Sequence, residues 1–184
     1  MRIIGLTGPA GCGKDTVARI LTEHDMAFQV AFGDAIRSTA MAMFGLDYQQ
    51  MNARELKEVV ISEWGMSPRQ IMQLIGTECG RAVFGEDVWI KRLAVRIKSL
   101  PPTQFVVVSD VRTEAEATWV RDLGGVVVHI TREGVEPVRA HSTEDGVEFV
   151  AGDMALDNSG NNLNELNRSV LDNKHFWLEQ CRAV

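Results

Sequence analysis

Gly8, Gly13 and Lys14 stand at the spacing G-x-x-x-x-G-K, with Gly11 adding a third flexible point and Cys12 inside the loop. These residue types can wrap a polyphosphate. Glycines let the chain curl closely enough for successive backbone N–H groups to point at phosphate oxygens. A helix beginning near Lys14 offers its positive end to the same anion. Lys14 adds a full charge, an attraction of about 4 kcal/mol for one phosphate charge at ~4 Å and an effective dielectric of ~20. Asp15 stands where a Ser or Thr that ligates Mg²⁺ is usual, and Thr16 comes one place later. The plain alternative is a glycine-rich turn with an exposed lysine. Apolar Ile3, Ile4 and Leu6 before the loop, with Val17, Ile20 and Leu21 at helical spacing after it, argue for a phosphate loop between strand and helix.

A second group of candidates follows the apolar run Phe105–Val108, which leads through Ser109 into Asp110 and Arg112. A carboxylate at that strand end can hold Mg²⁺ or its waters beside bound phosphates, and an arginine two residues on can clamp a second phosphate with its planar fork. The competing reading is an Asp–Arg surface pair. In the stretch 68–83, Ile71, Leu74, Ile75 and Cys79 form the expected apolar face of a helix, while Arg69, Gln73, Gly76, Thr77 and Gly80 share another face. Glycine costs about 1 kcal/mol against alanine inside a helix, so this pair needs a reason. Either a ligand lies close, with Gln73 and Thr77 on base edges and Arg69 on a phosphate, or another helix packs over the glycines.

Other candidates are single residues with a structural alternative beside each. Gly33 permits close approach, Asp34 is expected to cap a helix, and Arg37 falls in that helix's first turn, where a cation opposes the dipole and therefore suggests an anion nearby. Arg132 follows the fourth apolar run, and Arg139 and His141 lie in the charged stretch 132–152. Most arginines in such loops are simply solvated. Trp89 is a stacking surface or a core residue. Asn158, in the turn Asp157–Gly160, borders the adenine of a donor nucleotide or only turns the chain.

The elements that must position these residues read as an α/β domain. At 184 residues, with 45% hydrophobic and 24% charged residues, the chain suits one domain with a substantial core. Apolar runs at 3–7, 28–32, 105–109 and 126–130, and a weaker one at 154–156, predict five buried strands. Helices expected at 14–24, 34–44, 53–62, 68–83, 87–98, 114–123 and 163–181 separate them, the pattern of a parallel sheet covered on both faces. Ser67-Pro68-Arg69-Gln70 and Thr113-Glu114-Ala115-Glu116 are capping boxes. Residues 46–98 hold more helix than one crossover needs and suggest a helical acceptor-binding insertion; residues 132–152 suggest a lid.

The net charge of −6 speaks against a broad nucleic-acid surface. Three widely spaced cysteines suggest a reducing compartment and no zinc site. Cytosol is the expected location, with no leader and no membrane span. Among catalytic patterns, no Ser-His-Asp set or paired acid–base carboxylates compete, and no N-K-x-D element points to a guanine-nucleotide switch.

Taken in order, Gly-Cys-Gly-Lys-Asp-Thr (11–16), Phe-Gly-Asp-Ala-Ile-Arg (32–37), Ser-Pro-Arg-Gln-Ile-Met-Gln-Leu-Ile-Gly-Thr-Glu (67–78), Ser-Asp-Val-Arg (109–112), the 124–132 run, His-Ser-Thr-Glu (141–144) and Asp-Asn-Ser-Gly (157–160) span nearly the whole chain. With them the chain resembles the bacteriophage-type deoxynucleoside monophosphate kinases, a branch of the P-loop kinases. That family accommodates Gly-Lys-Asp-Thr; its residue after Asp-Val-Arg is often aromatic, whereas here it is Thr113. The resemblance implies Mg²⁺-dependent transfer of the ATP γ-phosphoryl group to a deoxynucleoside monophosphate. It implies that Lys14 and the loop (Gly8, Gly11, Cys12, Gly13, Asp15, Thr16), with Asn158, hold the donor, and that Thr16 and Asp110, with Asp15 a further candidate, organise the metal. Gly33, Asp34, Arg37, Arg69, Gln73, Gly76, Thr77, Trp89, Asp110, Arg112 and Glu114 would surround the acceptor, and Arg132 and Arg139 would close over the transferring group. It points weakly to a homodimer. Competing readings are a P-loop kinase for dephospho-coenzyme A or phosphomevalonate, or an ATP-binding sensor without catalysis. Cys12 is expected to be alkylated unless ATP shields it.

Overall fold

Five short, largely apolar runs form the strands β1 (Arg2–Thr7), β2 (Ala27–Val30), β3 (Phe105–Val108), β4 (Val126–Thr131) and β5 (Met154–Asp157). The structure is a computed structural model and describes residues 1–23, 25–53, 55–135, 146–160 and 162–182. The strands pair in the order β2-β3-β1-β4-β5, every pairing parallel. The expected five-stranded parallel sheet is therefore present. Central strands are covered on both faces and so read as unbroken apolar runs, as all-parallel sheets require.

On one face, Ile4, Leu6, Val107, Val128 and Ile130 pack with Val17 and Leu21 of α1 (Lys14–Thr22) and with Val170 and Trp177 of α8 (Leu163–Gln180). The other face carries α7 (Glu114–Asp122), which packs on β1 and β4; a Cβ on Gly5 would touch Val111 and Val120. Helices α1 and α7 follow the neighbouring strands β1 and β3 and lie on opposite faces. Such divergence at the carboxyl ends of neighbouring strands, here β1 and β3, is where open α/β sheets bind ligands.

The chain divides into two compact units, Met1–Ala31 with Ile97–Val184, and Phe32–Arg96. The first holds the sheet. The second is helical and starts at Phe32, ahead of the residue 46 expected for the insertion. It contains α2 (Gly33–Phe44), α3 (Tyr48–Asn52), α4 (Pro68–Gln73), a π-helical segment Leu74–Arg81, α5 (Ala82–Phe84) and most of α6 (Val88–Lys98), around Ala40, Leu46, Met51, Ile71 and Ile75.

Two expectations fail in this unit. No helix spans 53–62. A capping box, Asp47 with Gln50, starts the short α3 earlier, and the chain then turns and forms an antiparallel bridge between Ile61 and Met66. The β-branched run Val59-Val60-Ile61 disfavours helix, which accounts for the difference. The helix at 68–83 also changes type, because Leu74–Arg81 widens to π-helical hydrogen bonding. The wider turn rotates the inward face. Ile71, Ile75, Gly76 and Gly80 are buried, while Leu74 and Cys79 of the expected apolar stripe are exposed.

Trp89 explains Gly80, while Ile36 packs against Gly76. The Trp89 indole Nε1 donates to Gly76 O at 2.8 Å, and a Cβ on Gly80 would lie 2.4 Å from the ring's Cζ2 and 2.8 Å from Ile75 O. Gly80→Ala is expected to cost about 1–3 kcal/mol by overpacking. Gly76→Ala should cost less, since its added methyl meets the flexible Ile36 Cδ1 at 3.0 Å. Urea midpoints of the two variants check this, and equal values would remove the ring as the cause.

Candidate functional site

The loop from Gly8 to Gly13 takes its shape from three positive φ angles, 137° at Gly8, 87° at Gly11 and 107° at Gly13. Only glycine fits at the two ends. A Cβ on Gly8 would sit 2.2 Å from Ile130 O, and one on Gly13 would sit 2.5 Å from Asn158 Nδ2. Cys12 turns back through a hydrogen bond from its N–H to Pro9 O at 3.2 Å, and its side chain is buried in the core beneath the loop. The Cys12 thiol is covered by protein, so its expected alkylation requires the loop to open.

Lys14 begins α1, and its ammonium donates to Gly8 O at 2.6 Å and Pro9 O at 2.9 Å, with Cys12 Sγ 3.9 Å away. Burial lowers the Lys14 pKa from its ordinary value. Arg112 adds to that, while Cys12, Asp15 and Asp110 pull the other way. The charge is thus only partly compensated, which suits a group meant to meet an anion. Asp15 is exposed and Thr16 half-buried in the same first turn.

Asp110 and Arg112 reach this neighbourhood because hydrogen bonding continues past the strand ends. Ser109 N–H donates to Val30 O at 3.0 Å and Val111 N–H to Leu6 O at 3.1 Å. Glu116 closes the turn that follows: its Oε2 accepts from the backbone N–H of Arg112 at 2.8 Å and of Thr113 at 3.1 Å. The capping box was legible, whereas the extra bond to Arg112 was not. The Arg112 side chain is exposed.

Asn158, expected beside a nucleotide base, is buried below the loop, where its Nδ2 donates to Cys12 O at 2.8 Å. Its backbone N–H donates to Thr131 O at 2.8 Å, and Glu133 N–H donates to Ser159 Oγ at 2.9 Å. The chain after β4, including exposed Arg132, is tied in this way to the turn after β5. Arg139 and His141 lie outside the described residues.

In the helical unit the candidate acceptor residues divide into packed and charged ones. Trp89, Gly76 and Gly80 belong to the packing above, which favours the helix-packing reading of those glycines. Asp34 does not cap α2, whose N-cap is Phe32; it pairs with half-buried Arg37 at 2.5 Å. Arg69 Nε donates to Glu58 Oε1, and its backbone N–H donates to Lys57 O at 3.0 Å. Gln73 and Thr77 are half-buried, as is Gly33.

Glu114 has a structural part that the sequence reading missed. Its two oxygens accept from Arg121 Nη1 at 2.5 Å and from Glu148 N–H at 3.1 Å. Arg121 also holds Asp153, through Nε at 3.1 Å and Nη2 at 2.7 Å, and His129 Nε2 lies 2.9 Å from the same carboxylate. Val150 N–H adds a fourth contact at 3.2 Å. These partners come from β4, α7 and the segment before β5. No local pattern announced them.

The chain was compared with known proteins. A family model described as deoxynucleotide monophosphate kinase matches residues 39–170. A provisionally named deoxynucleotide monophosphate kinase of Acanthamoeba polyphaga mimivirus is 29% identical over 160 residues, which cover 78% of this chain and 81% of the relative. A dephospho-CoA kinase of Synechococcus sp. is 40% identical over 76 residues, covering 34% of this chain and 32% of that protein. Among solved structures, a gluconokinase from Sinorhizobium meliloti aligns with a TM-score of 0.49 at 16% identity, covering 96% of this chain and 93% of its own. A sugar kinase from Janibacter sp. gives the same TM-score of 0.49 at 13% identity, covering 97% and 94%.

The Asp153 cluster predicts how stability responds to acid. Burial alone would raise the Asp153 pKa, but hydrogen bonds from Arg121, His129 and Val150 outweigh it and hold the carboxyl below its ordinary 3.8. A depressed carboxylate contributes stability above its unfolded pKa and loses it as pH falls through the folded one. Asp153→Asn should cost about 1–3 kcal/mol at neutral pH, since it strips Arg121 and His129 of their shared acceptor. Its stability should also fall less steeply than that of the wild type below pH ~4. Parallel curves in urea titrations over that window would refute this.

Proposed function

The chain belongs to the deoxynucleotide monophosphate kinase family, and on that premise we propose that it transfers the γ-phosphoryl group of ATP to a deoxynucleoside 5′-monophosphate, giving the diphosphate and ADP. The observation that supports this most directly is Lys14. It is a partly buried ammonium resting on two loop carbonyls, its charge acted on by both Arg112 and Asp110.

The reaction needs alignment and charge stabilisation more than covalent help from the protein. Incoming donor phosphates would take Lys14 from Gly8 O and Pro9 O and meet the N–H groups at the start of α1. Gly11, where an added Cβ would find no atom within 4 Å, leaves the loop backbone open to their approach. Arg112 would offer its fork to the acceptor phosphate, and the family resemblance adds Arg37 and Arg69 as further candidate cations. For those two, phosphate would compete with Asp34 and Glu58. Arg132 and Arg139 would supply charge as the transferring group moves.

The residues present fit Mg²⁺. The Thr16 hydroxyl and the Asp110 carboxylate are hard oxygen donors, and Mg²⁺ bound with phosphates uses one or two such protein ligands. When bound, the ion would neutralise charge on the β- and γ-phosphates.

A coupled ADP-release assay against a panel of deoxy- and ribonucleoside monophosphates, with dephospho-coenzyme A included, tests the reading. ADP release should depend on a deoxynucleoside monophosphate. ATP binding with no ADP release in the presence of any acceptor would point to a nucleotide sensor. Lys14→Ala should lower kcat by about 10²–10³-fold, the loss seen when one preorganised donor is removed. Arg112→Ala should raise the acceptor KM about 10- to 100-fold while shifting the ATP KM much less. An unchanged acceptor KM would take Arg112 out of the site.

A further inference from the structure

Asn158 and the glycine loop are 146 residues apart in the chain and joined by one side-chain hydrogen bond, Nδ2 to Cys12 O at 2.8 Å. The Cys12–Gly13 peptide has its C=O directed down at this amide. In a trans peptide the N–H points opposite to the C=O. Holding the Cys12 carbonyl inward therefore aims the Gly13 N–H outward, on the side an anion must approach. A glycine neighbour makes this peptide easy to turn over, because glycine accepts both signs of φ. A turned peptide would aim its carbonyl at the phosphates and repel them.

We propose that Asn158 is a positioning residue for the donor phosphates, acting through the Cys12–Gly13 peptide and touching no substrate. The inference rests on the reading of the loop as the ATP site. Its amide is placed from both sides. The backbone N–H of Asn158 is anchored on Thr131 O at 2.8 Å, and Gly13 leaves room for Nδ2, which a Cβ there would meet at 2.5 Å. Asparagine suits the position because it presents a donor that does not titrate. An aspartate of the same shape would face the carbonyl with a second acceptor, unless it were protonated.

The experiment is binding of Mg–ATP to the full chain, by calorimetry, for wild type, Asn158→Ala and Asn158→Asp across neutral and acid pH. Cooperative melting is recorded for each. Asn158→Asp should bind ATP about 10- to 100-fold more weakly at neutral pH, the scale of a lost hydrogen bond replaced by a facing charge. Relative to wild type it should recover as pH falls and its carboxyl gains a proton that can be donated to Cys12 O. Asn158→Ala should bind about 3- to 10-fold more weakly, a deficit that acid does not repair. Affinity for a deoxynucleoside monophosphate alone should stay unchanged in both.

If both variants melt at lower temperature yet bind ATP as the wild type does, Asn158 is only a strut and the proposal fails. An Asn158→Asp deficit that ignores pH also overturns it. Wild-type protein that binds ATP but phosphorylates no deoxynucleoside monophosphate would sink the kinase reading and leave this inference standing.

Discussion

Parallel pairing of β1 with β3 on one side and β4 on the other is the constraint on which the site depends. The register sets Gly5 beside Val108 and Thr7 beside His129, so β3 ends two residues short of β1 and β4 runs two residues past it. Each then hands over a functional segment: the glycine loop after β1, Asp110 and Arg112 after β3, and Arg132 after β4. A slip along any pairing would separate the groups proposed to act on the same phosphates. The valines of β3 and β4 are buried, as strands covered on both faces require.

Beyond the strand ends, individual hydrogen bonds take over from the sheet. Val111 N–H on Leu6 O, Asn158 N–H on Thr131 O and the Asn158 amide on Cys12 O join loops distant in sequence into one rim. Lys14 is the charged member of that rim, and it is held by neutral carbonyls with its pKa lowered chiefly by burial. Such a site is preorganised and electrically incomplete. An anion would complete it, as the proposed phosphoryl transfer requires.

The charged groups fall into two kinds. Arg121, Glu114, Asp153 and His129 satisfy one another and fasten the segment before β5 to α7 and β4. Arg37 and Arg69 pair with exposed carboxylates on the helical unit, and exposed pairs of that sort contribute about 0–1 kcal/mol and exchange readily for a better anion. Sequence reading treated Glu114 as one of the ligand-facing residues. Its two oxygens also serve Arg121 and Glu148.

Local chemistry is what the sequence by itself determined. The five strands, the glycine loop, the capping boxes at Ser67 and Thr113 and the run into Asp110 and Arg112 were legible because each depends on neighbours a few residues away. The family resemblance was legible for the same reason, being carried by short ordered motifs. What needed the tertiary structure was the meaning of residues whose partners lie far off in the chain. Gly80 answers to Trp89, Glu114 to Arg121 and Glu148, and Asn158 to Cys12. The π-helical turn at Leu74–Arg81, which moved Cys79 from the expected core to the surface, lies within one helix but has no period in the sequence. The Trp89 ring packs on that segment at Gly80, and helical periodicity alone does not register such a contact.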